Sequence, residues 1–180
     1  MVYVLLGTGF EEVEAITPVD LLRRAGIPVQ TVGVNGKIVS GGHNIPIAAD
    51  ITLDEMDLGA MDMIVLPGGL GGVASVRASK QAMNALRYSW ESDKYVAAIC
   101  AGPTVLADLG ITDGKNATCY PGCEGSMGAA QMIMDEPCVR DGNLITGASA
   151  GCAIPFSLML IEALKDRDTA RTIKEQIVVR

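Results

Sequence analysis

The sequence has few of the residues on which several classes of protein depend. Its 180 residues contain two Phe, four Tyr and one Trp, and a single histidine, His43. The 14 lysines and arginines form no cluster, and the formal net charge is −7. Nucleic-acid binding requires a basic patch that neutralises phosphates. The composition therefore excludes DNA and RNA as partners.

A long hydrophobic run is also missing. The first apolar stretch, residues 1–6, has no basic residues before it and stops at Gly7. It is too short for a signal peptide or a membrane span. We interpret it as a first β-strand and predict no association with membranes.

No disulfide framework can be recognised among the cysteines. They are odd in number and scattered along a chain that is long enough to form its own core without cross-links. A reducing, cytoplasmic location is therefore expected. The five cysteines are Cys100, Cys119, Cys123, Cys138 and Cys152.

Metal-binding patterns are equally weak. Cys119 and Cys123 are close in sequence, but a zinc site would need further ligands from distant loops because only one imidazole exists. We predict no metal ion and no other cofactor. Redox pairing of Cys119 or Cys123 with Cys100 stays open at this point.

Short aliphatic runs alternate with amphipathic stretches along the chain. This rhythm predicts one α/β domain, residues 1–180, with a doubly wound, mostly parallel sheet and helices on both faces. Residues 37–50 indicate a small β-hairpin excursion, and Asp141-Gly142 carries a second hairpin turn signal. The predicted strands are 2–6, 28–34, 62–66, 95–100 and 143–146, and the predicted helices are 11–25, 72–90, 102–110, 153–165 and 167–178.

The strongest local signal for chemistry surrounds Cys100. A buried strand runs into this residue and continues directly into a helix through Ala101, Gly102 and Pro103. Small residues allow a sharp turn, and proline is tolerated in the first turn of a helix. The pattern resembles a nucleophile elbow with cysteine in place of serine. Because the helix dipole favours an anion at its N-terminus, we expect a lowered thiol pKa. The alternative is an ordinary buried cysteine.

A glycine-rich loop follows another buried strand at Gly68-Gly69-Leu70-Gly71-Gly72. Its backbone amides can approach a ligand closely and could form an oxyanion hole that faces Cys100. No Gly-Lys-Ser/Thr follows, so a P-loop is excluded. The predicted backbone donors are Gly68, Gly69, Leu70 and Ala101.

Residues Gly7-Thr8-Gly9 begin like a dinucleotide-binding fingerprint, but Glu12 occupies the place of the third glycine. Pyrophosphate would be repelled by the glutamates at this helix start, so we reject NAD. The favourable interaction of acidic side chains with the helix dipole is enough to explain why Glu11 and Glu12 stand at the helix start. Glu14, if it points inward beside a thiolate, would have a raised pKa and could donate a proton.

Three blocks of sequence together resemble the DJ-1/ThiJ/PfpI superfamily, on its DJ-1-like branch. They are Gly9-Phe10-Glu11-Glu12-Val13-Glu14 with the helix that follows, Leu66-Pro67-Gly68-Gly69, and Ala97-Ala98-Ile99-Cys100-Ala101-Gly102-Pro103. The resemblance implies a flavodoxin-like fold, a homodimer, and a cysteine, Cys100, that oxidises readily and is held by a protonated Glu14. It also implies glyoxalase or deglycase activity on dicarbonyls, oxidative-stress sensing or chaperone activity.

Two departures from that pattern concern the site. Tyr120 stands where the human-type branch has a histidine near the cysteine, and His43 stands where that branch has an arginine in a nearby loop. His43 is otherwise expected to be a solvated loop residue, although it is the sole imidazole for any Cys/His mechanism. Ala101 follows Cys100 where protease-like members have a histidine, which argues against a peptidase.

These residues support two hypotheses. In the first, Cys100 attacks a small dicarbonyl, Glu14 shuttles protons, and backbone amides stabilise the oxyanion without any cofactor. In the second, Cys100 is the oxidised residue of a non-catalytic stress sensor or redox-regulated chaperone. His43, Tyr120 and Cys119 are possible auxiliary residues in either case. A binding module with an inert cysteine is the third reading.

Overall fold

The computed structural model describes residues 1–179, which form eleven strands and six α-helices joined by short 3-10 turns. In chain order they are β1 Val2–Leu6, α1 Glu12–Arg24, β2 Val29–Gly33, β3 Ile38–Ser40, β4 Pro46–Ala48, β5 Ile51–Thr52, β6 Met63–Leu66, α2 Leu70–Ala78, α3 Lys80–Glu91, β7 Tyr95–Ile99, α4 Pro103–Asp108, β8 Asn116–Ala117, β9 Gln131–Met132, β10 Cys138–Asp141, β11 Leu144–Gly147, α5 Ala153–Leu164 and α6 Arg167–Gln176.

Seven of the described strands form the central sheet, in the order β10-β11-β7-β6-β1-β2-β5. Every neighbouring pair is parallel except β10 and β11, which are antiparallel. The fold is thus the predicted flavodoxin-like, mostly parallel sheet. The predicted excursion is also confirmed, because β3 and β4 pair as a separate antiparallel hairpin.

The alternation of side chains along β1 explains why helices cover both faces of the sheet. Val2, Val4 and Leu6 point to the face that α1, α5 and α6 cover. Tyr3 and Leu5 point to the opposite face, which is covered by α2, α3 and α4. All five residues are buried, as expected for a parallel strand between two helical layers.

The helix predicted over 72–90 is divided in two. Ser79 has an extended backbone, and its side chain accepts a hydrogen bond from the amide of Ala82. This N-cap starts α3 after α2 has ended at Ala78. The break was missed because the hydrophobic pattern continues across it.

The C-terminal ends of β1, β6 and β7 lie side by side at one edge of the sheet. The strand order reverses at β1, since β2 lies on one side and β6 on the other. Ligand sites in open α/β sheets are found at such a switch point. The loops after these strands carry Gly7, Gly68 and Cys100. Within residues 1–179, no helix combines the length and apolar character needed to span a bilayer.

Candidate active site

Cys100 lies on the sharp turn that the sequence predicted between β7 and α4. Its φ is +64°, in the left-handed region that residues other than glycine rarely adopt. Two backbone hydrogen bonds hold this conformation: the Cys100 amide donates to the Gly147 carbonyl at 2.9 Å, and the Cys100 carbonyl accepts from the Tyr120 amide at 2.8 Å. The strained residue is therefore fixed from both sides.

Gly102 makes the turn possible because there is no room for a side chain. A Cβ at this position would lie 2.7 Å from the Leu66 carbonyl oxygen and 2.9 Å from that of Ile99. Pro103 then starts α4, as predicted. The helix has only six residues, so its dipole is weaker than the sequence argument assumed.

Glu14 lies on the inner face of α1 and is fully buried. Its Oε2 accepts a hydrogen bond from the Gly68 amide at 2.8 Å. The other oxygen, Oε1, is buried and has no hydrogen-bond partner among residues 1–179. The Cys100 thiol lies next to this carboxyl and affects its acidity. The predicted Cys100–Glu14 pair is therefore brought together by the fold.

Gly68 is in close contact with both reactive groups, Glu14 and Cys100. A Cβ on Gly68 would lie 2.6 Å from Glu14 Oε2 and 2.8 Å from Cys100 Cβ. Its amide is already donated to Glu14, so Gly68 is not available as the oxyanion donor that the sequence suggested. The amides of Ala101 and Gly69 instead point at the Cys100 sulfur.

Leu70, the fourth predicted backbone donor, is the first residue of α2, and its side chain is exposed. The first amides of a helix have no intrahelical partner. The Leu70 amide therefore lies at the same strand end and has no hydrogen-bond acceptor within α2.

The acidity of the pair differs from the sequence expectation. Burial, together with the negative charge of Glu14 and its contact with the thiol, raises the pKa of Cys100 to about 12. Burial also raises the pKa of Glu14 above its ordinary value. The prediction of a lowered thiol pKa was wrong for the state with an ionised Glu14, because desolvation and like charge outweigh two amides and a short helix. The two groups compete for one negative charge.

Sequence reasoning missed a chain of hydrogen bonds behind the elbow. Thr104 Oγ1 donates to the Ala101 carbonyl at 2.7 Å, and Arg77 Nη2 donates to Thr104 Oγ1 at 2.8 Å. Arg77 also pairs with Asp108. These bonds fix α2 against α4. No local signal could have revealed them, since Arg77 lies far from Thr104 in sequence.

The two glycine-rich segments that the sequence singled out pack against each other. A Cβ on Gly9 would lie 2.8 Å from Gly71 Cα, and one on Gly69 would lie 2.4 Å from the Gly9 carbonyl oxygen. Close backbone contact therefore explains the Gly7-Thr8-Gly9 pattern without a dinucleotide.

His43 is held by the glutamates at the start of α1. Its Nδ1 lies 2.8 Å from Glu12 Oε2, and its amide donates to Glu12 Oε1 at 2.8 Å. The hydrogen bond with Glu12 and the charge of Glu11 raise the pKa of His43. The imidazole is directed to these carboxylates, and the structure records no contact between it and Cys100.

The same three residues are the grouping in the described chain that could hold a metal ion. One atom each of Glu11, Glu12 and His43 lies within 4.8 Å of the others. Hydrogen bonds with His43 already satisfy both oxygens of Glu12 without an ion.

Tyr120 and Cys119 belong to the segment that is hydrogen-bonded to the Cys100 carbonyl. The Tyr120 amide is bonded to the Cys100 carbonyl, and its side chain is half exposed. The Cys119 thiol is fully buried and donates to the Tyr120 carbonyl. The Tyr120 backbone is therefore next to Cys100, while the role predicted for its side chain stays a prediction, and Cys119 packs in a separate small cluster.

A flavodoxin-like sheet with a strained cysteine and a buried glutamate at its switch point defines a class of α/β proteins with a nucleophile elbow. The profile of the DJ-1/PfpI family matches residues 1–163. The chain belongs to this family.

Individual relatives agree with the assignment. Protein dj-1beta of Drosophila melanogaster is 36% identical over 178 residues, which are 98% of this chain and 95% of the relative. Its crystal structure matches with a TM-score of 0.95 and covers 99% of this chain and 97% of that one. A structure of Toxoplasma gondii DJ-1, described as oxidized, is 30% identical with a TM-score of 0.93, and covers 98% and 97% of the two chains. Deglycase PfpI of Pyrococcus furiosus is 31% identical over 157 residues, 87% of this chain and 94% of the relative.

Proposed function

We propose that this protein is a cofactor-independent enzyme of the glyoxalase or deglycase type that uses Cys100 as its nucleophile on small dicarbonyls. The observation that carries the proposal is the buried Glu14 carboxyl beside the Cys100 thiol, whose Oε1 has no hydrogen-bond partner among residues 1–179. A buried carboxylate oxygen without a partner is costly, whereas a carboxylic acid at this place can donate its proton to sulfur or to a substrate oxygen. The similarity to a deglycase supports this choice of reaction.

The pair is proposed to hold one proton between its two acidic groups. Because both pKa values are raised by burial, the doubly ionised state is disfavoured and the groups titrate together. In the reactive form the proton lies on Glu14 and the charge lies on Cys100, where the amides of Ala101 and Gly69 stabilise it.

With methylglyoxal, the sulfur attacks the aldehyde carbon and Glu14 protonates the oxygen, which gives a hemithioacetal. The Glu14 carboxylate then removes the proton from that carbon to give an enediolate, and the hydroxyl proton passes to the neighbouring oxygen. Glu14 returns its proton to the carbon that carried the ketone. The product is a thioester of lactate, and water releases lactate and the thiol. The Leu70 amide is the proposed oxyanion donor, since those of Ala101 and Gly69 already point at the sulfur.

The test is lactate production from methylglyoxal by the wild type and by Cys100→Ser. We expect the variant to lose turnover because an alcohol is a far weaker nucleophile at neutral pH. Cys138→Ser is the matched control and should retain the wild-type rate, since Cys138 lies on β10 at the edge of the sheet. Unchanged lactate production by Cys100→Ser would reject the proposal.

A second candidate is oxidative-stress sensing, which is favoured by the absence of an imidazole at Cys100. Within the described chain, the single histidine is hydrogen-bonded to Glu12 and is not available to Cys100. The acidic side chain beside the sulfur is that of Glu14. A structure of a relative is described as oxidized. Mild peroxide with intact-mass detection should place two oxygens on Cys100 before other residues react. Oxidation that begins elsewhere would count against a sensor.

We also propose that the protein acts as a homodimer. Val13 and Ile16 on α1 and Ile45 beside the hairpin are exposed large apolar residues. Ile16 lines one groove together with Ile47 of β4, so α1 and the hairpin form a continuous surface. Light scattering on the wild type and on Val13→Lys tests this, with a dimer expected for the first and a monomer for the second. A monomeric wild type would contradict it.

A further inference from the structure

Cys119 and Cys123 flank a tight turn formed by Tyr120, Pro121 and Gly122. The Cys123 amide donates to the Tyr120 carbonyl at 2.9 Å, which closes the turn. Gly122 has a φ of +98°, and Pro121 precedes it. Proline followed by a left-handed glycine is typical of a type II β-turn. The turn therefore brings the Cys123 backbone back to Tyr120, the residue that follows Cys119.

The two cysteines share one hydrogen-bond acceptor, the Tyr120 carbonyl. Cys119 Sγ donates to the Tyr120 oxygen at 3.5 Å, and this oxygen also accepts from the Cys123 amide. Both cysteines pack in one small apolar cluster with Ala117 and Met127. Burial raises the pKa of Cys119, and Cys123 lies near enough for its charge, when ionised, to raise that pKa further.

The two thiols differ in access to solvent. Cys119 is fully buried, whereas Cys123 is half-buried. A small oxidant therefore reaches Cys123 first, and Cys119 is the protected thiol behind it. This division into an exposed attacking thiol and a shielded resolving thiol is typical of redox-active pairs.

We propose that Cys119 and Cys123 form a redox-active dithiol that a hydroperoxide converts into an intrachain disulfide. The Cys123 thiolate attacks the peroxide oxygen, so that sulfur is oxidised to a sulfenic acid and the peroxide is reduced to an alcohol or water. The Cys119 sulfur then displaces hydroxide from this sulfenic acid, and water leaves. Reduction by a thiol such as glutathione restores both groups.

The disulfide would act on the neighbourhood of Cys100. The Tyr120 amide that lies inside the turn donates to the Cys100 carbonyl. Closing the turn covalently fixes this bond and removes motion from the segment that carries the Tyr120 side chain. The dithiol itself does not depend on dicarbonyl chemistry, so the lactate assay and the following experiment can fail independently.

The experiment treats the wild type and Cys138→Ser with increasing amounts of hydroperoxide, beyond the amount that oxidises Cys100, then blocks free thiols and digests with trypsin. The peptide 116–140 carries Cys119, Cys123 and Cys138, so the Cys138→Ser protein isolates the pair. We expect this peptide to lose two hydrogen atoms, to resist alkylation and to recover both thiols with dithiothreitol. The matched variant Cys119→Ser should instead leave Cys123 with added oxygen.

Two results would overturn the proposal. One is a bridge in the wild-type digest that joins Cys119 or Cys123 to Cys100, Cys138 or Cys152. The other is full alkylation of Cys119 and Cys123 after the peroxide has oxidised Cys100. Fragmentation of the wild-type peptide between Cys123 and Cys138 locates the bridge without any substitution, so the conclusion does not depend on how well a variant folds.

Discussion

Glu12 and Glu14 stand two residues apart in the first turn of α1, yet their acid strengths move in opposite directions. Burial raises the pKa of Glu14, and no cation lies beside it to reverse this effect. Burial acts on Glu12 as well, but hydrogen bonds from His43 outweigh it and lower the pKa. Both share the same helix dipole, so the dipole cannot explain the difference.

The comparison shows that partners, and not position along the helix, set the state of each carboxyl. Glu12 faces a solvated loop and forms an ion pair with His43. Glu14 faces the sheet, where it finds one amide and a thiol. Glu12 therefore carries a fixed charge that holds a loop, whereas Glu14 is the proton carrier of the proposed mechanism.

The largest expected effect follows from replacing the proton carrier. Glu14→Gln keeps the shape and can still donate a hydrogen bond to sulfur, but it cannot transfer a proton. We expect kcat for lactate formation to fall by roughly 10²–10⁴. Alkylation of Cys100 by iodoacetamide should persist, because removal of the carboxylate charge lowers the pKa of the thiol from about 12.

Glu12→Gln is the matched control for this variant and should keep most of the activity. If Glu14→Gln turned over methylglyoxal at the wild-type rate, the assignment of the two glutamates would be wrong.

A smaller effect is expected at the contact between the groups. Gly68→Ala introduces a Cβ that collides with Glu14 Oε2 and Cys100 Cβ. Overpacking of this kind typically costs about 1–3 kcal/mol. Urea unfolding should show this loss, together with lower activity. Gly125→Ala is the control, since a Cβ there meets nothing within 4 Å. Equal stability of the two variants would refute the close contact.

The stability of the protein should depend on pH through the raised pKa of Glu14. A carboxyl with a raised folded pKa contributes stability below its unfolded pKa, and this contribution is lost as the pH rises through the folded value. Cys100→Ser should therefore lose stability relative to Cys100→Ser/Glu14→Gln as the pH rises above 4.5, the ordinary value. The slope should not exceed about 1.4 kcal/mol per pH unit. Parallel urea-unfolding profiles would contradict a raised Glu14 pKa.

The smallest effect concerns the other glutamate. His43 has a raised pKa and Glu12 a lowered one, so their ion pair exists between these two values. His43→Ala should lower the melting temperature slightly, mainly below the ordinary histidine pKa of about 6.5, with the difference fading as the pH rises. His43 is exposed, which keeps the effect small. A difference that grows at high pH would contradict the pair.

The positions that local sequence predicted well are those where neighbours along the chain decide the conformation. The aliphatic runs of β1, β6 and β7 predict buried parallel strands by composition alone. Small residues after Cys100 indicate a sharp turn because larger ones would collide with the strand ends. The β10–β11 hairpin follows from Asp141-Gly142, where Gly142 has a positive φ.

The resemblance of three blocks to the DJ-1/ThiJ/PfpI superfamily supplied the pairing of Cys100 with Glu14. The residue pattern alone predicted a raised pKa for Glu14 only if its side chain points inward. The fold meets this condition because α1 packs its Glu14 side against the sheet, close to Gly68.

The amino-acid sequence thus predicts the strands, the turn at Cys100 and the glycines that permit close backbone contact, since these depend on local sterics and hydrophobic periodicity. Which groups meet depends on the tertiary structure. The contact of Glu14 with Gly68 and that of Glu12 with His43 join residues 54 and 31 positions apart. It also decided the acidity of Cys100, because desolvation and the charge of a neighbouring carboxyl arise only when the chain has folded around them.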